Sequence, residues 1–128
     1  MGQAGMLAMM LLVPGCSEHD RPPAQNKEEP LRRAAFKSMA ARDFLMSCPN
    51  AANRRETRSQ VRRFDELKQL AARKQAAHPF WLGENDWAAI SRNAHRQRCG
   101  TGNEAYREAL SAFASTLDTL AERIAQYR

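Results

Sequence analysis

The sequence predicts an all-α protein whose folded part, residues 31–128, is a small antiparallel four-helix bundle. Apolar residues recur at steps of three and four through most of this region. No run alternates apolar and polar residues for long enough to indicate a strand. The connections between the helical segments are short, which favours an up-down-up-down order. A region of this length holds one hydrophobic core, so we expect a single helical domain.

The first two helices are predicted from their apolar faces and from the residues at their ends. The first runs from about Pro30 to Ser47. The second runs from about Asn53 to Ala77, where Asn53 and Glu56 open the helix and Pro79 stops it. The apolar faces contain Leu31, Ala35, Phe36, Met39, Ala40 and Phe44 in the first helix, and Val61, Phe64, Leu67, Leu70 and Ala71 in the second.

The last two helices follow from the same patterns. The third is expected from about Asp86 to Arg98, with Gly100 as a left-handed cap. A capping box of Thr101 and Glu104 starts the fourth helix. Their inner faces contain Trp87, Ile90 and Ala94 in the third helix, and Tyr106, Leu110, Phe113, Leu117, Leu120, Ile124 and Tyr127 in the fourth. The spacing in the fourth helix is that of a coiled-coil seam.

The amino terminus carries an apolar stretch of about 10 residues, too short to cross a bilayer as a helix, which needs about 20. It leads into Leu12, Val13, Pro14, Gly15 and Cys16, and polar residues follow. This segment resembles the signal sequence of a bacterial lipoprotein. The resemblance implies a cleaved signal peptide over residues 1–15, acyl chains such as palmitate on Cys16, and a periplasmic location, with Ser17 favouring the outer membrane.

Residues 16–30 contain no large apolar side chain after the cysteine and are rich in Pro, Glu, Asn and Gln. This composition is typical of a flexible chain. We therefore expect a lipidated Cys16 followed by a disordered tether that holds the helical domain near a membrane. The alternative is a disordered or weakly amphipathic amino terminus on a cytosolic protein.

The chain contains three cysteines, and an odd number in an exported protein leaves one thiol to explain. Lipidation of Cys16 would account for it. Cys48 and Cys99 then form one candidate disulfide, which an oxidising periplasm permits. In an up-down-up-down bundle these two residues follow the first and third helices, so they fall at the same end. The alternative is that both remain buried free thiols.

Residues 78–87 form an aromatic loop that includes Phe80, Trp81 and Trp87. One interpretation is a plug, in which Phe80, Trp81 and Leu82 fold back over the end of the core. The other is a contact site for a partner or a membrane, because exposed Trp and Phe side chains provide large contact areas and indole rings favour the headgroup zone.

Basic residues outnumber acidic ones by 20 to 14, which gives a net charge of +6. On the second helix, Arg54, Arg58 and Arg62 are spaced by four and form an arginine face, with Arg55 and Arg63 beside it. Such a face could bind anionic lipid or an envelope protein. A solvated face with an internal Arg62–Glu66 pair is the other interpretation. Nucleic acid is not favoured, because no nucleic-acid-binding module accompanies the arginines.

Catalysis finds little support in the sequence. His19, His78 and His95 are not at metal-ligand spacing, and no serine lies in a nucleophile elbow. We therefore expect no catalytic residue, metal or cofactor. The predicted function is a lipid-anchored periplasmic helical protein with a binding or structural role in the cell envelope. The alternative is a cytosolic basic helical protein that binds nucleic acid through its second helix.

Overall fold

The computed structural model describes residues 23–81 and 84–127. Within these ranges the chain is helical and contains no strand. The prediction of an all-α fold with four helices is confirmed for the described residues. The helices are α1 (Pro23–Met46), α2 (Arg55–Arg73), α3 (Glu84–Arg96) and α4 (Asn103–Gln126), with two short 3-10 helices at Ala51–Asn53 and His78–Phe80.

Helix α1 begins earlier than the sequence predicts, at Pro23 rather than at about Pro30. Residues 23–30, assigned above to a disordered tether, are therefore helical. Pro23 occupies the first helical position, where the missing N–H is harmless. The following residues include Ala, Gln, Lys and Glu, which are good helix formers. Pro30 lies inside the helix, where it cannot donate a hydrogen bond to the carbonyl four residues earlier and its ring crowds that carbonyl.

The core is built around α1 and α4, which make the most extensive contact. Helix α2 packs against α4, and α3 packs against α1. The seam predicted on α4 is confirmed, since five of its members are buried and the flanking Leu110 and Tyr127 pack partly buried against the core. The largest fully buried apolar side chains are Leu31, Leu45, Phe64, Ile90, Phe113, Leu117, Leu120 and Ile124.

Buried hydroxyl groups join α4 to its two neighbours. The Ser38 Oγ on α1 lies 2.9 Å from the carbonyl oxygen of Ala34 and 3.3 Å from that of Thr116. The Thr57 hydroxyl on α2 lies 2.8 Å from the Tyr106 hydroxyl. Ser38 and Thr57 are both almost completely buried. Because a buried polar group without a partner is costly, these bonds specify how the helices pack.

Helix α2 ends in a Schellman motif centred on Gln75, not at Pro79. Gln75 has a φ of 62°. The Ala76 N–H donates to the Ala71 carbonyl at 2.7 Å, and the Gln75 N–H donates to that of Ala72 at 3.0 Å. These bonds satisfy carbonyls that the end of the helix leaves free. Glycine usually occupies this left-handed position. Because Gln75 stands here instead, the sequence does not indicate where α2 ends.

The predicted caps of the other helices are wrong. Gly100 does not adopt a left-handed conformation, and α3 already ends at Arg96. Gly102 is the residue before α4, and no side chain caps that helix, so the proposed Thr101–Glu104 box does not form. The start of α2 is likewise uncapped by any side chain. None of the described helices has both the length and the apolar composition needed to cross a bilayer.

Candidate functional site

Cys48 and Cys99 lie next to each other, with their Sγ atoms 2.06 Å apart, which is bonding distance. The predicted pairing is therefore present. The neighbouring Ser47 reinforces the junction, because its Oγ accepts a hydrogen bond of 3.0 Å from the Cys99 N–H. This junction fixes the segment after α1 against the segment before α4.

The arginine face differs from the prediction at Arg54. This residue precedes α2 in an extended conformation, with φ −87° and ψ 137°. Its guanidinium carbon lies 3.7 Å from the centroid of the Tyr106 ring, and its Nη1 donates to the Asn103 Oδ1 at 3.1 Å. Arg54 thus stabilises the contact between α2 and α4 through a cation–π interaction. Arg54 therefore contacts α4 within the domain, in addition to the partner contact predicted for it.

Arg55, Arg58 and Arg62 are exposed on α2. Together with Ser59 they line an open space of about 430 Å³. Arg58 is held by a hydrogen bond of 2.8 Å from its Nη1 to the Asn53 carbonyl. The predicted Arg62–Glu66 pair does not form, and within the described part of the chain Arg55 and Arg62 have no ion pair. Their positive charges remain available to a partner.

Two other charged residues of α2 form ion pairs with α4. Arg63 contacts Asp118 at 2.6 Å, and Glu56 contacts Arg107 at 3.4 Å. The pKa of Glu56 lies below its ordinary value, because its backbone N–H donates to the carboxylate and because Arg107, Arg54 and Arg55 favour the charged form. The ion pairs of α2 with α4 thus use Glu56 and Arg63, whereas Arg55 and Arg62 form no ion pair with the described residues.

A cleft beside the arginines was not predicted. It has a volume of about 280 Å³ and lies between the end of α1, the first 3-10 helix and α2. Met46, Ala52 and Val61 give it an apolar surface, and Arg58 and Arg62 border it. Met46 is 45% exposed. Sequence analysis missed Met46 because a Met at the end of an apolar helix is indistinguishable from a core residue.

The aromatic loop is divided between the core and the surface. Phe80 is partly buried, and its ring packs edge-on against Phe64, with centroids 6.0 Å apart. Trp81 is 75% exposed. The plug interpretation is therefore right for Phe80 and wrong for Trp81. Leu82 lies outside the described residues, and so does the side chain of Trp87.

Arg32 fixes the exposed Trp81 to α1. Its Nη1 donates to the Trp81 carbonyl at 3.2 Å, and its Nη2 lies 3.5 Å from Asp86 at the start of α3. The Trp81 backbone is thus joined to α1 by a hydrogen bond while its indole is exposed. Trp81 and Met46 are the large apolar side chains that are exposed among the described residues.

The signal sequence and Cys16 lie outside the described residues. Within the described ranges, no group of three or more His, Cys, Asp or Glu side chains could hold a metal ion.

No protein-family model, no curated protein and no solved structure matches this chain.

Proposed function

We propose that this chain is a lipid-anchored protein of the bacterial cell envelope, with acyl chains on Cys16 and a helical domain that binds or organises another envelope component. The observation that carries this proposal is the pairing of Cys48 with Cys99. Disulfides persist in the periplasm and are rare in a cytosol. With those two cysteines paired, Cys16 is the single thiol left, and it stands where a lipoprotein carries its lipid.

We further propose that the helices alternate in direction as an antiparallel bundle. Contacts between α1 and the region of α4 support this: Ser47 bonds to Cys99, whereas Ser38, earlier in α1, bonds to Thr116, later in the chain. Contacts between α2 and α4 instead advance together along both helices, from Thr57 with Tyr106 to Lys74 with Ile124, which supports a parallel course for these two helices. In this arrangement the disulfide and the exposed Trp81 lie at opposite ends.

This arrangement places Trp81 at the end of the bundle from which the anchored amino terminus departs. Its carbonyl accepts a hydrogen bond from Arg32, in the first half of α1. An exposed indole suits the headgroup zone of a bilayer. Arg55, Arg58 and Arg62 lie towards the other end, so in the anchored protein they point away from that membrane and towards a partner in the envelope.

The anchor is tested by metabolic labelling with a radioactive fatty acid. We expect label on the chain in a bacterial host that processes lipoproteins, and loss of that label in Cys16→Ala. Cys99→Ala, which removes a different cysteine, is the control and should keep the label. An unlabelled parent chain would refute the proposal.

The alternative function, nucleic-acid binding in the cytosol, draws on the exposed Arg55, Arg58 and Arg62 of α2. A protein that neutralises phosphates binds DNA with an affinity that falls steeply as salt rises. An unlabelled parent chain with such salt-dependent binding to duplex DNA, weakened by Arg58→Gln, would favour this alternative.

A further inference from the structure

We propose that the cleft between the end of α1 and α2 binds an acidic amphipathic segment of a partner protein. An apolar side chain of that segment would enter the cleft at Met46, and its carboxylates would bind Arg58 and Arg62. This assigns a surface and a partner chemistry to the binding role proposed above, and therefore rests on it.

The cleft is small, mainly apolar and open to solvent. Its volume of about 280 Å³ is close to the lower limit of the roughly 300–1,000 Å³ of sites that enclose a small molecule. One or two partner side chains fill such a space. Met46, Ala52 and Val61 provide the apolar contact. Flexible methionines are common on surfaces that bind peptides.

The cleft is also held in place before any partner arrives. Met46 is the last residue of α1, and the next two residues are fixed by the Ser47–Cys99 hydrogen bond and by the disulfide. The opposite wall is α2, which is anchored to α4 through the buried Thr57–Tyr106 bond. A preformed site loses less conformational entropy on binding.

The charged residues at the border of the cleft indicate the chemistry of the partner. Arg58 and Arg62 border both the apolar cleft and the open space next to it, so a single ligand reaches both. Bidentate binding of a carboxylate suits guanidinium groups. Asp65 also lines the cleft, so its charged border is mixed, which suits a segment with both apolar and acidic side chains better than a uniformly anionic surface. The nearby aromatic ring of Tyr106 is buried, with the Arg54 guanidinium over it, so it offers no stacking surface for bases.

The test uses the full chain carrying Cys16→Ala, oxidised so that the Cys48–Cys99 bond is formed. The probe is a fluorescein-labelled peptide in which Leu residues at helical spacing are flanked by Glu, and binding is followed by fluorescence anisotropy. We expect this peptide to bind, and its counterpart with Gln in place of Glu to bind roughly 10-fold more weakly, as expected for two exposed charge pairs.

Variants locate the binding surface. Arg58→Gln with Arg62→Gln should abolish the preference for the Glu peptide, whereas Arg73→Gln with Arg92→Gln, which removes the same charge elsewhere, should keep it. Met46→Ser should weaken binding several-fold, whereas Trp81→Ala, which removes the other exposed apolar side chain, should not. Circular dichroism checks that each variant keeps the helix content of the parent.

Reversing the charge at the two arginines tests the binding surface independently. Arg58→Glu with Arg62→Glu should transfer the preference to a peptide with Lys in place of Glu. Equal affinity for the Glu and Gln peptides would overturn the proposal, and so would equal losses in the cleft and control variants. Binding of phosphatidylglycerol vesicles or duplex DNA through Arg58 and Arg62, without peptide binding, would also overturn it. None of these outcomes affects the labelling of Cys16.

Discussion

Loss of the Cys48–Cys99 bond is expected to lower the free energy of unfolding by about 4 kcal/mol. The two residues are 51 positions apart, so the bond closes a long loop in the unfolded chain. Cross-linking such a loop lowers the conformational entropy of the unfolded state, which stabilises the folded state by about 4 kcal/mol. Small domains are stabilised by only about 5–15 kcal/mol in total. The double variant Cys48→Ser with Cys99→Ser should therefore unfold at a much lower urea concentration than the parent.

The control for this experiment is the reducing agent itself. Dithiothreitol should lower the stability of the parent to that of the double variant and leave the double variant unchanged. A parent chain whose urea midpoint is the same with and without dithiothreitol would contradict the structural role given to the bond.

Phe64→Ala is expected to lower the free energy of unfolding by about 3–5 kcal/mol, the cost of emptying a large aromatic site in a core. Phe64 is completely buried. Its ring packs edge-on against Phe80 and Phe113, with centroid distances of 6.0 Å to each. The substitution therefore removes the contact that joins the aromatic loop to α2 and α4. Urea unfolding followed by circular dichroism measures the effect.

Trp81→Ala is the matched control, because it removes a larger aromatic ring that is 75% exposed. Its stability should stay within about 0.5 kcal/mol of the parent, as for other surface substitutions. Comparable destabilisation by the two variants would mean that Trp81 closes the core after all, and the membrane contact assigned to its indole would lose its basis.

The parts of the fold that the sequence predicted are those with long, regular apolar patterns. The seam on α4 was recognised because residues from Tyr106 to Ile124 repeat at helical spacing, and the core side of α2 was recognised from Phe64 and Ala71. Helix ends were less predictable. Gln75 adopts the conformation expected of glycine, and α1 starts at Pro23 inside a polar segment, so the local residue types pointed elsewhere.

The candidate site was predictable only in part, because its features arise from tertiary contacts. The pairing of Cys48 and Cys99 followed from counting cysteines and from the order of the helices. The role of Arg54 could not be predicted in this way. Its spacing from Arg58 matched a helical face, whereas the Tyr106 ring that it contacts belongs to α4. The cleft at Met46 likewise forms between separate helices, so no local sequence pattern predicts it.

The central claim, that the chain is exported, lipidated and oxidised, is tested most directly by intact-mass spectrometry of the protein isolated from its own cells, with thiol alkylation before and after reduction. The account predicts a chain that begins at an acylated Cys16 and gains two alkyl groups, at Cys48 and Cys99, only after reduction. A chain that retains residues 1–15 and is alkylated at both cysteines without reduction would contradict it.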